Sequence, residues 1–152
     1  MIDKTGRQVS GDLLTAFLSL DILDRYKGAE ILFDVKSSST ALDIVRQAGG
    51  KPLLWRTGHS HMKKRLKELG APLAGEMSGH IFIADDFYGF DDALYVACRF
   101  LSRLTHMKQK GNESLTDFLD QLPPSFTTPE CHIYCPENEK FKAVERLSQQ
   151  IG

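Results

Sequence analysis

Glu76, Ser78 and His80 fall inside one short stretch, Gly75-Glu76-Met77-Ser78-Gly79-His80. A carboxylate beside a hydroxyl can aim several hydrogen-bonding atoms at one ligand, and the imidazole adds a group that titrates near neutral pH. Such a set suits a polyhydroxylated ligand, because a sugar offers donors and acceptors on adjacent carbons. The stretch sits between two apolar runs, Ala71 to Ala74 and Ile81 to Ala84, and its glycines permit a tight turn. The same hexapeptide also reads as a polar hairpin turn with a capping Glu.

Two further clusters carry chemistry. Lys36-Ser37-Ser38-Ser39 supplies a cation and three hydroxyls, and Thr57-Gly58-His59-Ser60 supplies a ring and a helix start. Backbone N–H groups at a helix N-terminus suit an anion. A lysine and a helix start beside hydroxyl-recognising groups together suggest a phosphorylated sugar.

The elements that would position these residues follow from apolar periodicity and from glycine and proline punctuation. Helices are expected over Ser10 to about Asp24, Thr40 to Ala48, Ser60 to Leu69, Asp91 to about Thr105, and Leu115 to Leu122. Ser10 and Asp91 read as caps of their helices, and Leu94, Ala97, Cys98 and Leu101 as the core face of the fourth. Strands are expected over Ala29 to Val35, Lys51 to Arg56, Leu73 to Glu76 and His80 to Ala84. The alternation predicts βαβ units with right-handed crossovers, and the tight turn makes the fourth strand antiparallel. The expected class is α/β: a three-layer α/β/α domain with a mixed four-stranded sheet, followed by an incomplete C-terminal α+β segment. In such sheets ligands sit beyond the carboxyl ends of the parallel strands, where the three polar loops should meet.

Other clusters read as structural. Cys131-His132-Ile133-Tyr134-Cys135 reads as a strand, which places the two thiols about 13 Å apart, too far to share a zinc ion. Asp85-Asp86 reads as turn chemistry and Asp91 as a helix cap, so no metal is assigned to this chain. A net charge of −1 gives no reason to expect nucleic acid or an anionic membrane as partner. No apolar run reaches the roughly 20 residues of a membrane span, and no signal peptide opens the sequence, so a cytoplasmic protein is expected.

Taken in order, Asp34-Val35-Lys36, Thr57-Gly58-His59-Ser60, Gly75-Glu76-Met77-Ser78-Gly79-His80, Gly89-Phe90-Asp91-Asp92 and Thr128-Pro129-Glu130 resemble the α-D-phosphohexomutases. Met77 resembles the phosphomannomutase/phosphoglucomutase branch. The resemblance implies a four-domain parent: residues 1–9 end domain two, 10–122 form domain three, 123–129 are a linker, and 130–152 begin domain four. The serine loop, the magnesium loop Asp-Gly-Asp-Gly-Asp-Arg and the phosphate-gripping loop of the family are absent from these 152 residues.

What the resemblance implies about function is specific. The parent would interconvert mannose or glucose 1-phosphate and 6-phosphate through a phosphoserine and a hexose 1,6-bisphosphate, with Mg2+ held outside this chain. Lys36, Thr57, Gly58, His59, Glu76, Ser78 and His80 would bind substrate, and His80 would exchange a proton or orient the sugar. Partners would be hexose phosphates and the other domains of the same parent, and the isolated piece would be inactive. The alternative is a non-catalytic sugar-phosphate-binding or interaction module.

Overall fold

A computed structural model describes residues 1–109, 114–124, 128 and 131–151. Most of the polar gap read at 108–113, much of the linker read at 123–129, and the Pro129-Glu130 pair lie outside the described residues. The element order is α1 (Gly11–Arg25), β1 (Glu30–Asp34), α2 (Ser39–Gln47), β2 (Lys51–Trp55), α3 (His59–Leu69), β3 (Leu73–Gly75), β4 (Ile81–Ile83), α4 (Ala93–Gln109), α5 (Leu115–Asp120) and α6 (Lys140–Ile151).

The sheet order is β2-β1-β3-β4. β1 runs parallel to both β2 and β3, with Leu32 opposite Leu53 and Ala74, while β3 and β4 are antiparallel, with Ala74 opposite Phe82. This is the mixed sheet expected from the sequence. β2 lies at an edge, where Pro52 costs no internal ladder bond.

Side chains of a strand alternate between its faces, and the two cores follow that alternation. Ile31, Phe33, Leu73, Ile81 and Ile83 share one buried cluster with Ala16, Leu23, Ala41 and Val45 of α1 and α2. Leu32, Ala74 and Phe82 share the other with Met62 and Leu66 of α3. Three layers result, and the turns at their ends are specified locally. Ser38 caps α2 by accepting the Ala41 N–H at 3.2 Å, and Gly70 ends α3 in the left-handed region at φ 64°.

Several expectations need correction. The apolar set chosen for α4 is the wrong face: Leu94 is 82% exposed, Leu101 61%, and Cys98 is exposed. The packed face carries Tyr95, Val96 and Phe100, with Phe100 against Phe17 at a ring separation of 5.6 Å. Two apolar stripes compete on this helix, and the aromatic one buries more surface.

Ser10 stands at the N-cap of α1 but makes no capping bond; its hydroxyl donates to Asp12 instead.

No strand forms at 131–136, so among the described residues the C-terminal α+β segment contributes only α6. A strand needs a neighbour to satisfy its backbone groups, and no pairing involves these residues. The zinc argument built on strand spacing between Cys131 and Cys135 loses that premise; both thiols are exposed and form no disulfide. Phe141, Val144 and Leu147 of α6 are exposed.

Candidate functional site: a carboxylate-tied loop cluster

The three loops after β1, β2 and β3 meet, and Asp34 joins them. Its carboxylate lies fully buried at the carboxyl end of β1. Oδ1 accepts the Ser37 hydroxyl at 2.8 Å and the Met77 N–H at 3.2 Å, while Oδ2 accepts the Thr57 hydroxyl at 3.2 Å. A buried carboxylate is tolerated only when so satisfied.

Glu76 lies on the resulting platform, 2% exposed. Its Oε1 accepts the Gly58 N–H at 2.9 Å and its Oε2 the Ser78 hydroxyl at 3.2 Å. A carboxylate offers about four acceptor sites, so each oxygen keeps capacity for a ligand donor. The loop is closed by Glu76 N–H to His80 O and Gly79 N–H to Glu76 O, both at 2.9 Å. Gly79 adopts φ 100°, which a side chain would resist.

The start of α1 supports this loop from behind. Gly11 N–H donates to Met77 O at 3.2 Å, and a Cβ on Gly11 would lie 2.3 Å from Glu76 O. A Cβ on Gly75 would lie 1.9 Å from Thr15 Oγ1. Asp12 Oδ2 accepts the Ser38 N–H at 2.8 Å, fastening α1 to the N-cap of α2. Burial pushes the Asp12 carboxyl up, but bonds from Ser10, Ser38 and Leu13 outweigh it and hold the group below the usual carboxylate range.

His80 Nδ1 lies 2.7 Å from Asp91 Oδ2, and Asp91 Oδ1 accepts the Ile81 N–H at 3.3 Å. His59 Nε2 is 3.5 Å from the same Asp91 Oδ2. The rings of His59 and His80 meet edge to face at 4.3 Å, with His59 resting on Phe82 at 5.1 Å. Asp91 therefore does not cap α4, as the sequence suggested. Asp92 does, its Oδ1 accepting the Tyr95 N–H at 2.9 Å. The Asp85-Asp86 pair divides as well. Asp86 takes a left-handed turn conformation at φ 57°, whereas Asp85 is buried and paired with Arg25 and Arg99.

Of the residues singled out in the sequence, Thr57, Gly58, His59, Glu76, Ser78 and His80 are brought together. Lys36 is exposed on the turn after β1, at the same end of the sheet, and Ser60 is in the first turn of α3. Asp34 and Asp91, which hold the cluster, were missed as site residues. Asp34 had a signal: a carboxylate in the apolar run Leu32-Phe33-Asp34-Val35 must find donors. Asp91 stood in the Gly89-Phe90-Asp91-Asp92 motif, but the motif did not separate it from Asp92, which competes for the same capping role.

The arrangement can accept hydrogen bonds through Glu76 and donate or accept through Ser78. It presents amides at the start of α3 and places an imidazole backed by a carboxylate beside them. It does not suit magnesium, which requires a near-octahedral oxygen set. Asp85 and Asp92 are committed to the arginines and to α4, and Asp91 faces two nitrogens.

Together the fold and these loops define a three-layer α/β/α domain that gathers a cluster of polar side chains at the carboxyl ends of its parallel strands. The profile described as "Phosphoglucomutase/phosphomannomutase, alpha/beta/alpha domain III" matches residues 10–126, and the chain belongs to that family. It is 40% identical over 149 residues to a phosphomannomutase/phosphoglucomutase of Pseudomonas putida and 38% identical to one of Pseudomonas aeruginosa. Those alignments cover 98% of this chain but 31% of each relative. A phosphoglucomutase/phosphomannomutase family protein of Burkholderia thailandensis superimposes with a TM-score of 0.75 at 41% identity, covering 84% of this chain and 27% of that one. No described helix is long and apolar enough to cross a membrane.

Proposed function

We propose that this chain is the sugar-recognition domain of a phosphohexomutase that interconverts hexose 1-phosphates and hexose 6-phosphates. Residues 10–122 would form domain three of the parent, flanked by the end of domain two and the start of domain four. The observation that carries the reading is the Glu76 carboxylate. It is buried and fixed by Gly58 and Ser78, yet keeps acceptor capacity, on a loop within the residues 10–126 that the family profile matches.

Glu76 and Ser78 would bind the 3- and 4-hydroxyls of the hexose. These exchange places when the sugar reverses, so one grip serves both orientations, and a grip that ignores the 2-hydroxyl accepts both mannose and glucose. Thr57, Gly58, His59 and Lys36 would hold the sugar and its phosphate, with the α3 amides favouring the anion. In neutral His80, the Asp91 carboxylate accepts Nδ1–H and so leaves the lone pair on Nε2, the tautomer required for taking a proton. The phosphoserine, the Mg2+ and the loop gripping the second phosphate belong to other parts of the parent, and a hexose 1,6-bisphosphate would be the intermediate.

Kinetics on the full-length parent test this. Glu76→Ala removes a charge-assisted bond worth about 1.5–3 kcal/mol, which lowers kcat/KM by roughly ten- to a hundredfold. Unchanged kcat/KM on mannose and glucose phosphates would remove Glu76 from the site. A parent gene lacking the serine and magnesium loops would leave a sugar-phosphate-binding module without catalysis.

A further inference from the structure

His59, His80 and Asp91 each offer one ligand atom, and these three atoms lie within 4.8 Å of one another. The two shorter separations, 2.7 Å and 3.5 Å, share the Asp91 oxygen. Around a tetrahedral zinc ion with ligands near 2.0–2.1 Å, ligand atoms stand about 3.4 Å apart. The His59–Asp91 spacing already matches. The His80–Asp91 hydrogen bond has to open by less than about 1 Å for an ion to replace its proton. The three side chains are 43%, 47% and 26% exposed, so an ion can reach them and the rings can adjust. Asp91 is anchored through its other oxygen to the Ile81 N–H, and His59 rests on Phe82, so two of the three donors are already supported by the fold.

We infer that this chain binds one divalent ion of the zinc class at His59, His80 and Asp91, with the remaining position open to water or ligand. The donor set is two imidazoles and one carboxylate, which suits Zn2+, Co2+ or Ni2+ and not Mg2+. An ion on Nδ1 of neutral His80 shifts the ring proton to Nε2. The ring then presents a donor where it had presented a lone pair, and Asp91 no longer backs the imidazole. This consequence rests on the sugar-site reading above: occupancy would inhibit the site by taking His80 out of its working tautomer. Ion binding itself does not depend on that reading.

The test uses the 152-residue chain carrying Cys98→Ser, Cys131→Ser and Cys135→Ser, which removes the exposed thiols as rival ligands. Titration with Co2+ should show one equivalent bound, with ligand-field absorption and no thiolate charge-transfer band. His59→Gln and Asp91→Asn should each weaken binding at least about tenfold, since even outer-shell partners are worth that much. Imidazole NMR of the thiol-free chain bearing all five histidines supplies a readout without further substitution. Zn2+ should move the signals of His59 and His80 and leave those of His61, His106 and His132 in place. Absence of stoichiometric binding, equal affinity in His59→Gln, or Zn2+ shifts confined to the other histidines would overturn the assignment. Because no hexose phosphate is present, the outcome is independent of the Glu76 kinetics.

Discussion

Asp34 Oδ1 accepts the backbone N–H of Met77 at 3.2 Å, so a carboxylate at the end of β1 holds the tip of a hairpin 43 residues further on. The same carboxylate holds Ser37 and Thr57. The polar cluster is thus assembled on one buried carboxylate side chain that need not touch a ligand. Its strength comes from three donors converging where water is excluded.

Asp34→Ala should therefore destabilise the chain by about 2–3 kcal/mol, because Met77 N–H and two hydroxyls lose their acceptor. Urea denaturation should show a lower midpoint with an unchanged slope. A midpoint equal to that of the unaltered chain would mean that Asp34 does not hold the loops.

Gly75→Ala and Gly11→Ala should each cost about 1–3 kcal/mol, since the added methyl overlaps Thr15 in one case and the Glu76 carbonyl in the other. Gly28→Ala serves as a comparison: nothing lies within 4 Å of its Cβ position, and its φ of +80° leaves only the backbone cost. Thermal melts of the three variants should place Gly28→Ala as the mildest.

Asp85 predicts an acid limb. Burial pushes its carboxyl up, but Arg99 and Arg25 outweigh that and hold it below the usual range. A depressed folded-state pKa gives stability that is present above the unfolded value, near 3.9, and lost as pH falls through the folded value. Asp85→Asn should be less stable at pH 7 by about 3 kcal/mol, the lower end for breaking a buried pair, because Arg25 is 40% exposed. Below pH 4 the gap should narrow. Denaturation at pH 7 and pH 3 measures both ends, and a constant gap would show that the pairing does not depend on the Asp85 charge.

Cys98→Ser should change stability by no more than about 0.5 kcal/mol, as an exposed substitution does. Phe100→Ala, on the packed face against Phe17, should cost about 2–3 kcal/mol. Parallel melts separate the two, and a larger loss for Cys98→Ser would reverse the assignment of the α4 faces.

The sequence by itself determined the element order from α1 to α5 and the sheet. Short continuous apolar runs, glycines after α2 and α3, and a turn too short for a crossover leave little freedom, because each acts through neighbours within a few residues. It also marked Glu76, Ser78, His59 and His80, since polar groups flanking apolar strands fall at loop ends. Only the tertiary structure decided which face of α4 is buried, because two apolar stripes on one helix are separated only by what packs against them. It alone assigned Asp91 to the histidines and Asp92 to the cap, and it set Asp34 beneath three loops. A hydrogen bond between residues 11 or 43 positions apart depends on where the intervening chain turns, which no local pattern encodes. The strand read at 131–135 shows the same limit: the β pattern was in the residues, but a strand exists only where another strand offers its edge.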